Sequence, residues 1–176
     1  MAPHEKTRSV QLGDASAEWT GEELTVRSGG FERRWLWTGC GLATYLVRDG
    51  ARTWVESPGE ENHCCDWHLF RLITRDSEAQ LAGLSVTGVE DPPLTSDHVL
   101  AVADIVYPAV EVAVRYAVQV FADAAGVRTQ LAVRALRPFE REEIPSFLLE
   151  SYAEFLPLSP AELERQAVGY YNDLQH

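Results

Sequence analysis

Positive charge is scarce in this sequence. Lys and Arg together number 15 against 27 Asp plus Glu, a formal charge of -12. Such a field repels phosphate backbones and anionic lipid surfaces, so nucleic acid and membrane are poor partners and a neutral ligand is favoured. Long hydrophobic runs are also missing, and none approaches the roughly 20 apolar residues of a membrane span. Residues 1–9 carry charge with no apolar core behind them, so no secretory leader is read there and a cytoplasmic location is the expectation. Cysteine is sparse and odd in number: Cys40, Cys64 and Cys65. Adjacent cysteines seldom bridge each other, because the Cα separation of a disulfide is hard to reach across one trans peptide. Free thiols in a reducing compartment are therefore expected. No internal repeat and no low-complexity stretch is present.

Hydrophobic residues make up 45% and charged residues 24% of 176 residues, the composition of an ordinary folded domain. A chain of this length forms one domain and needs no disulfide or metal to hold it. Its apolar residues recur with period two. Val110, Val112, Val114, Tyr116, Val118 and Val120 fall on one face, with Glu111, Arg115 and Gln119 on the other. After Asp123-Ala124-Ala125-Gly126 the alternation resumes from Val127 to Ala135. Two alternating runs around a short Asp/Gly loop predict a β-hairpin with one face on a core and the other in water. Further strands are predicted at 23–27, 31–37, 42–48, 53–56, 67–74, 80–90 and 99–106. Turn chemistry separates several of them at Ser28-Gly29-Gly30, Asp49-Gly50, Ser57-Pro58-Gly59 and Asp91-Pro92-Pro93. Many short strands without helical spacing between them predict a mainly β fold, an antiparallel β-sandwich. Ser159-Pro160-Ala161-Glu162 reads as a helix start, which predicts a short C-terminal helix over 160–168. The domains are then a sandwich over 1–158 and, over 159–176, that helix and the beginning of a linker to a downstream domain. The ending Asp173-Leu174-Gln175-His176 reads as a cut.

The densest chemistry lies in Asn62-His63-Cys64-Cys65-Asp66-Trp67-His68. Two histidines, two cysteines and an aspartate can all ligate a metal, but a structural zinc site draws ligand pairs from two separated segments. No second pair exists, so no metal and no cofactor is expected. Cys64 beside His63 or His68 lacks the geometry of an activated thiolate, because neighbours on a strand point to opposite faces. The glutamates at 140, 142, 143, 150, 154, 162 and 164 read as a solvated charge run rather than as an acid/base pair. No catalytic residue is assigned. Trp19, Trp35, Trp37, Trp54 and Trp67 offer rings on which a neutral sugar can stack, although a tryptophan more often belongs to a core. Trp35 and Trp37 share one strand face, which places at least one of them inside.

The stretch from 31 to 49, FERRWLWTGCGLATYLVRD, resembles the opening of the N-terminal sandwich of α-galactosidase-like glycoside hydrolases of the family 36 and melibiase type. The hairpin over 110–136 resembles later strands of the same supersandwich-like domain. The resemblance implies a non-catalytic domain that supports a downstream (β/α)8 barrel, where two aspartates do the chemistry. It also implies that loops of the sandwich border the sugar pocket. Asp66, Trp67 and His68 are the pocket-lining residues expected on that basis, with Trp35 and Trp54 as further sugar contacts. Two rival readings stand beside it: a stand-alone carbohydrate-binding module using exposed tryptophans, and an interaction domain forming a homo-oligomer through the 110–136 hairpin. A mutarotase-like enzyme is more distant and would draw its histidine from His63, His68 or His98.

Overall fold

Period-two alternation becomes two stacked antiparallel sheets. The computed structural model describes residues 8–56, 78–124, 126–138 and 140. The first sheet is a meander of β1 (Arg8–Leu12), β2 (Ala15–Trp19), β3 (Glu23–Ser28), β4 (Phe31–Trp37), β5 (Leu42–Arg48) and β6 (Ala51–Glu56), in chain order. The second is a meander of β7 (Gln80–Val89), β8 (His98–Tyr107), β9 (Val112–Phe121) and β10 (Val127–Ala135). Every pairing joins sequential strands, so loop closure is short within each sheet and the passage between sheets falls in 57–77. The architecture is an antiparallel β-sandwich.

The core lies between the sheets. From β8 it takes Val99, Ala101, Ala103, Ile105 and Tyr107, and from β9 Val112, Val114, Tyr116, Val118 and Val120, all buried. The first sheet answers with Ala15, Ala17, Trp19, Leu24, Val26, Trp35 and Leu42. Small residues such as Ala17, Ala101 and Ala103 leave room for the rings of Trp19 and Trp35, so large and small side chains interdigitate. The Trp35 indole N–H donates to the Tyr116 hydroxyl at 3.2 Å, which ties β4 to β9 across the sandwich. Trp37 packs half-buried against the same cluster.

The predicted turns form where glycine permits them. Asp49 and Gly50 both take positive φ (51° and 77°), as a two-residue hairpin loop requires. The Ser28 hydroxyl lies 2.6 Å from the Phe121 carbonyl and 2.9 Å from that of Ala124, joining turns of the two sheets at one end of the sandwich.

Three details differ from the sequence reading. Strands β1 and β2 carry no clear period-two signal, because Ala15 and Ala17 supply the inward face with side chains too small to mark it as apolar. The ninth strand begins at Val112 and not Val110: Glu111 adopts a left-handed conformation (φ 53°, ψ 46°) and closes a single 3-10 turn over Pro108–Val110. The inward face of β10 is only partly covered, with Val133 37% exposed, since β10 is the edge of its sheet. The predicted strand at 67–74 and helix at 160–168 lie outside the described residues. Among the described residues no helix is long and apolar enough to cross a membrane.

Candidate functional site at one end of the sandwich

The β1–β2, β3–β4, β5–β6, β7–β8 and β9–β10 connections lie at one end of the molecule, and the remaining connections gather at the other. At that second end stand the β2–β3 turn, the β4–β5 turn, the start of β7, the 3-10 turn after β8 and the exit from β10. Its centre is the β4–β5 turn, Thr38-Gly39-Cys40-Gly41. The Thr38 N–H and hydroxyl both donate to the Gly41 carbonyl at 3.0 Å, and Gly39 sits at φ +87°, where a side chain would be strained. The buried Tyr107 reaches across from β8 and donates its hydroxyl to the Cys40 carbonyl at 2.7 Å. The Ala79 N–H donates to the Gly39 carbonyl at 2.9 Å, so the entry into β7 is fastened to the same turn. Between Gly39, Glu78, Gln80 and Ala109 lies a groove of about 490 Å³.

Cys40 is disulfide-bonded, which corrects the expectation of free thiols. The error came from weighing only the adjacent pair: a cysteine on a turn between strands is free to meet a partner far away in sequence. Its partner lies outside the described residues. Because disulfides persist in oxidising surroundings, this bond removes the thiol argument for a reducing compartment.

The exit from β10 is fastened here as well. The Leu136 N–H donates to the Glu111 carbonyl at 2.8 Å, and the Arg137 guanidinium lies 2.8 Å from the Glu111 carboxylate. The left-handed Glu111 therefore serves both the 3-10 turn and the departing chain.

A charged network covers the outer face of the first sheet on β3, β4, β5 and β6. Arg34 bridges Glu32 at 2.6 Å and Glu23 at 3.0 Å, and Arg27 holds the other oxygen of Glu32 at 2.7 Å. The Tyr45 hydroxyl donates to the second oxygen of Glu23, and Arg52 lies over the Tyr45 ring at 4.1 Å from its centroid. Desolvation pushes the Glu32 carboxyl up, but hydrogen bonds and charge from Arg27 and Arg34 outweigh it and hold the group below its ordinary value. Burial, then the bond to Glu23, raises the Tyr45 phenol. A carboxylate held down in this way stays ionised near neutrality, so Glu32 suits an ion pair and not a general acid. The network gives a stiff, polar surface whose groups already satisfy one another.

The residues singled out by sequence are placed as follows. Trp35 is fully buried between the sheets and presents no ring to a ligand, so its expected sugar contact is withdrawn. Trp54 lies on β6 opposite Tyr45, and its side chain is outside the described set. Asp66, Trp67 and His68 lie outside the described residues, as do His63, Cys64 and Cys65. The ends that flank them are placed: β6 finishes at Glu56 opposite Thr44, beside the β4–β5 turn, and β7 begins on that turn through Ala79. His98 sits at the far end, its Nδ1 2.9 Å from the Ser96 carbonyl and its Nε2 3.3 Å from Gln119, a packed polar residue. Among the described residues no group of three His, Cys, Asp or Glu side chains is placed to hold a metal. Sequence reading missed Tyr107, Glu111 and the Glu23–Arg34–Tyr45–Arg52 network, because each depends on strand register and none leaves a local motif. Comparison with models of known families, with curated proteins and with solved structures finds no match.

Proposed function

We propose that this chain is a non-catalytic β-sandwich domain of an α-galactosidase-like glycoside hydrolase, which supports a downstream barrel and borders its neutral-sugar pocket. One observation supports the reading above others. The two ends of 57–77, which carries Asp66, Trp67 and His68, and the chain leaving β10 are all anchored at the same end of the sandwich. A domain joined to its neighbour at that end would have the start and finish of 57–77, the segment that contains Asp66, Trp67 and His68, at the junction, where ligand pockets commonly form. The rival module with exposed tryptophans gains less support, since Trp19 and Trp35 are buried and Trp37 is packed against the core.

The reading is tested on the full reading frame, including whatever is encoded after His176. Hydrolysis of a nitrophenyl α-galactoside by that product is expected. Replacement His68→Ala should raise KM while leaving kcat within about threefold, because a bordering residue aids binding and not the chemical step. A frame that stops at His176, together with no hydrolysis of such glycosides, overturns the proposal. Saturable quenching of tryptophan fluorescence by oligosaccharides would then favour a stand-alone binding module.

A further inference from the structure

A sheet that is not closed ends in edge strands, whose outward N–H and C=O groups pair with any strand that reaches them unless the edge is short, bulged or covered. The two sheets present four such edges, and three are blunted. β1 and β6 are only five and six residues long. β7 is longer, but its register shifts between Leu81 and Gly83, and the Arg8 side chain donates to its Leu84 carbonyl. β10 differs. Its nine residues pair with β9 without a break, from Val127 opposite Val120 to Ala135 opposite Val112, and they include neither proline nor glycine. No described strand lies on its other side.

The side chains of β10 alternate between two incomplete surfaces. Thr129, Leu131, Val133 and Ala135 face the same way as the buried Val118, Tyr116, Val114 and Val112 of β9. Burial falls away at this strand, since Val114 is 1% exposed and its neighbour Val133 37%. A further strand with apolar residues on that face would extend the core. The opposite face carries Arg128, Gln130, Ala132 and Arg134, all exposed. Neither arginine takes part in an ion pair among the described residues, whereas Arg115 on β9 is held by Asp104 at 2.8 and 3.2 Å.

Charge selects the occupant. β10 holds two positive charges and no negative one, in a chain of formal charge -12. A second copy is opposed. Antiparallel pairing of the whole strand with itself centres on Leu131 and sets Arg128 against Arg134 twice, and like charges directly opposed are destabilising. The net negative charge of each copy adds to the repulsion. An acidic strand meets the reverse. Arg128 and Arg134 are separated by about 20 Å along one face, so two carboxylates at the same spacing on an antiparallel partner would stand opposite both.

We propose that β10 is a docking edge for an extended, acidic segment of another protein, which adds to the second sheet as a fifth strand. Its main chain pairs with the outer edge of β10, its carboxylates meet Arg128 and Arg134, and its apolar side chains lie alongside Leu131 and Val133. This surface is independent of the glycosidase reading.

The probe is a fluorescently labelled nine-residue peptide of alternating valine and glutamate, titrated with the full chain and followed by fluorescence anisotropy. Saturable binding is expected. It should weaken at least about tenfold in the double variant Arg128→Glu/Arg134→Glu, and equally when the central valine of the peptide is replaced by proline, which removes a main-chain donor. Both arginines are exposed, so the double variant keeps the sandwich folded, as its far-ultraviolet circular dichroism will report. No saturable binding by the wild type overturns the proposal, as does equal affinity in the double variant. Full affinity for the proline peptide overturns it too, by reducing the contact to charge alone. A chain that sediments at twice its mass and takes no peptide gives the edge to a second copy and overturns it as well.

Discussion

Tyr116→Phe isolates the polar contact between the sheets. Trp35 and Tyr116 are 0% and 3% exposed, and the indole N–H has the Tyr116 hydroxyl as acceptor at 3.2 Å. Phenylalanine keeps the ring, so the tilted ring pair at 6.5 Å between centroids is retained and only the oxygen is lost. A buried donor left without its acceptor costs about 1–3 kcal/mol. For a domain of this size each kcal/mol lowers Tm by about 2–4 °C, so the expected drop is about 2–12 °C. Tyr116 and Trp35 each have further interactions, so the single variant reports more than the indole contact. A double-mutant cycle with Trp35→Phe separates the two, because that variant removes the indole N–H of this contact and leaves the rest of Tyr116 in place. Urea unfolding followed by far-ultraviolet circular dichroism is the suitable assay, since Trp35→Phe changes the fluorescence itself. A coupling of about 1 kcal/mol is expected. Additivity within about 0.3 kcal/mol would refute the bond as a link between the sheets.

Three further outcomes are expected. Gly13 has φ +57° and a methyl group added there would come 3.2 Å from the Ala122 Cβ, so Gly13→Ala should cost about 1–2 kcal/mol in urea unfolding. Gly88→Ala, whose added methyl meets Val10 at an ordinary 3.7 Å, should stay within about 0.5 kcal/mol of wild type, and equal losses at both sites would contradict the backbone argument. For Glu32 the folded carboxyl lies below its ordinary value of 4.5, so its stabilisation is present above that pH and is lost as pH falls through the depressed folded value. The stability gap between wild type and Glu32→Gln should therefore be constant from pH 7 to 5 and close below pH 4.5; a gap indifferent to acid would count against the Arg27–Glu32–Arg34 pairing. Finally, thiol titration of the denatured, unreduced chain should find one free cysteine of the three, and three after reduction. Finding three without reductant would show Cys40 to be unbridged.

The strands were legible because burial on one face imposes a strict period of two. Val112 to Val120 on β9 alternates with polar and small residues, and its core face is read directly from the string. The turns were legible for a related reason: Asp49-Gly50 and Ser28-Gly29-Gly30 supply the positive φ that reversals need, and that requirement is local. Where local signals fade, so did the reading. Ala15 and Ala17 fill core positions with side chains that sequence cannot tell from surface alanine, and Val110 lost its place on the strand face to a left-handed Glu111.

The candidate site depended on distant contacts. Asp66, Trp67 and His68 stood out by composition, yet no local rule says where 57–77 begins and ends in space. That follows from the Gly39–Ala79 and Tyr107–Cys40 hydrogen bonds, which join residues far apart in sequence. Trp35 and Trp37 share one strand face in the sequence, but only the arrival of Tyr116 from the opposite sheet makes Trp35 a core residue with a satisfied indole. The sequence by itself determined the antiparallel strands, their inward faces and most of their turns, because each rests on interactions between near neighbours. Tertiary structure alone decided which ends meet, that Cys40 is bridged and which polar groups pair, because those outcomes depend on how one sheet lies on the other.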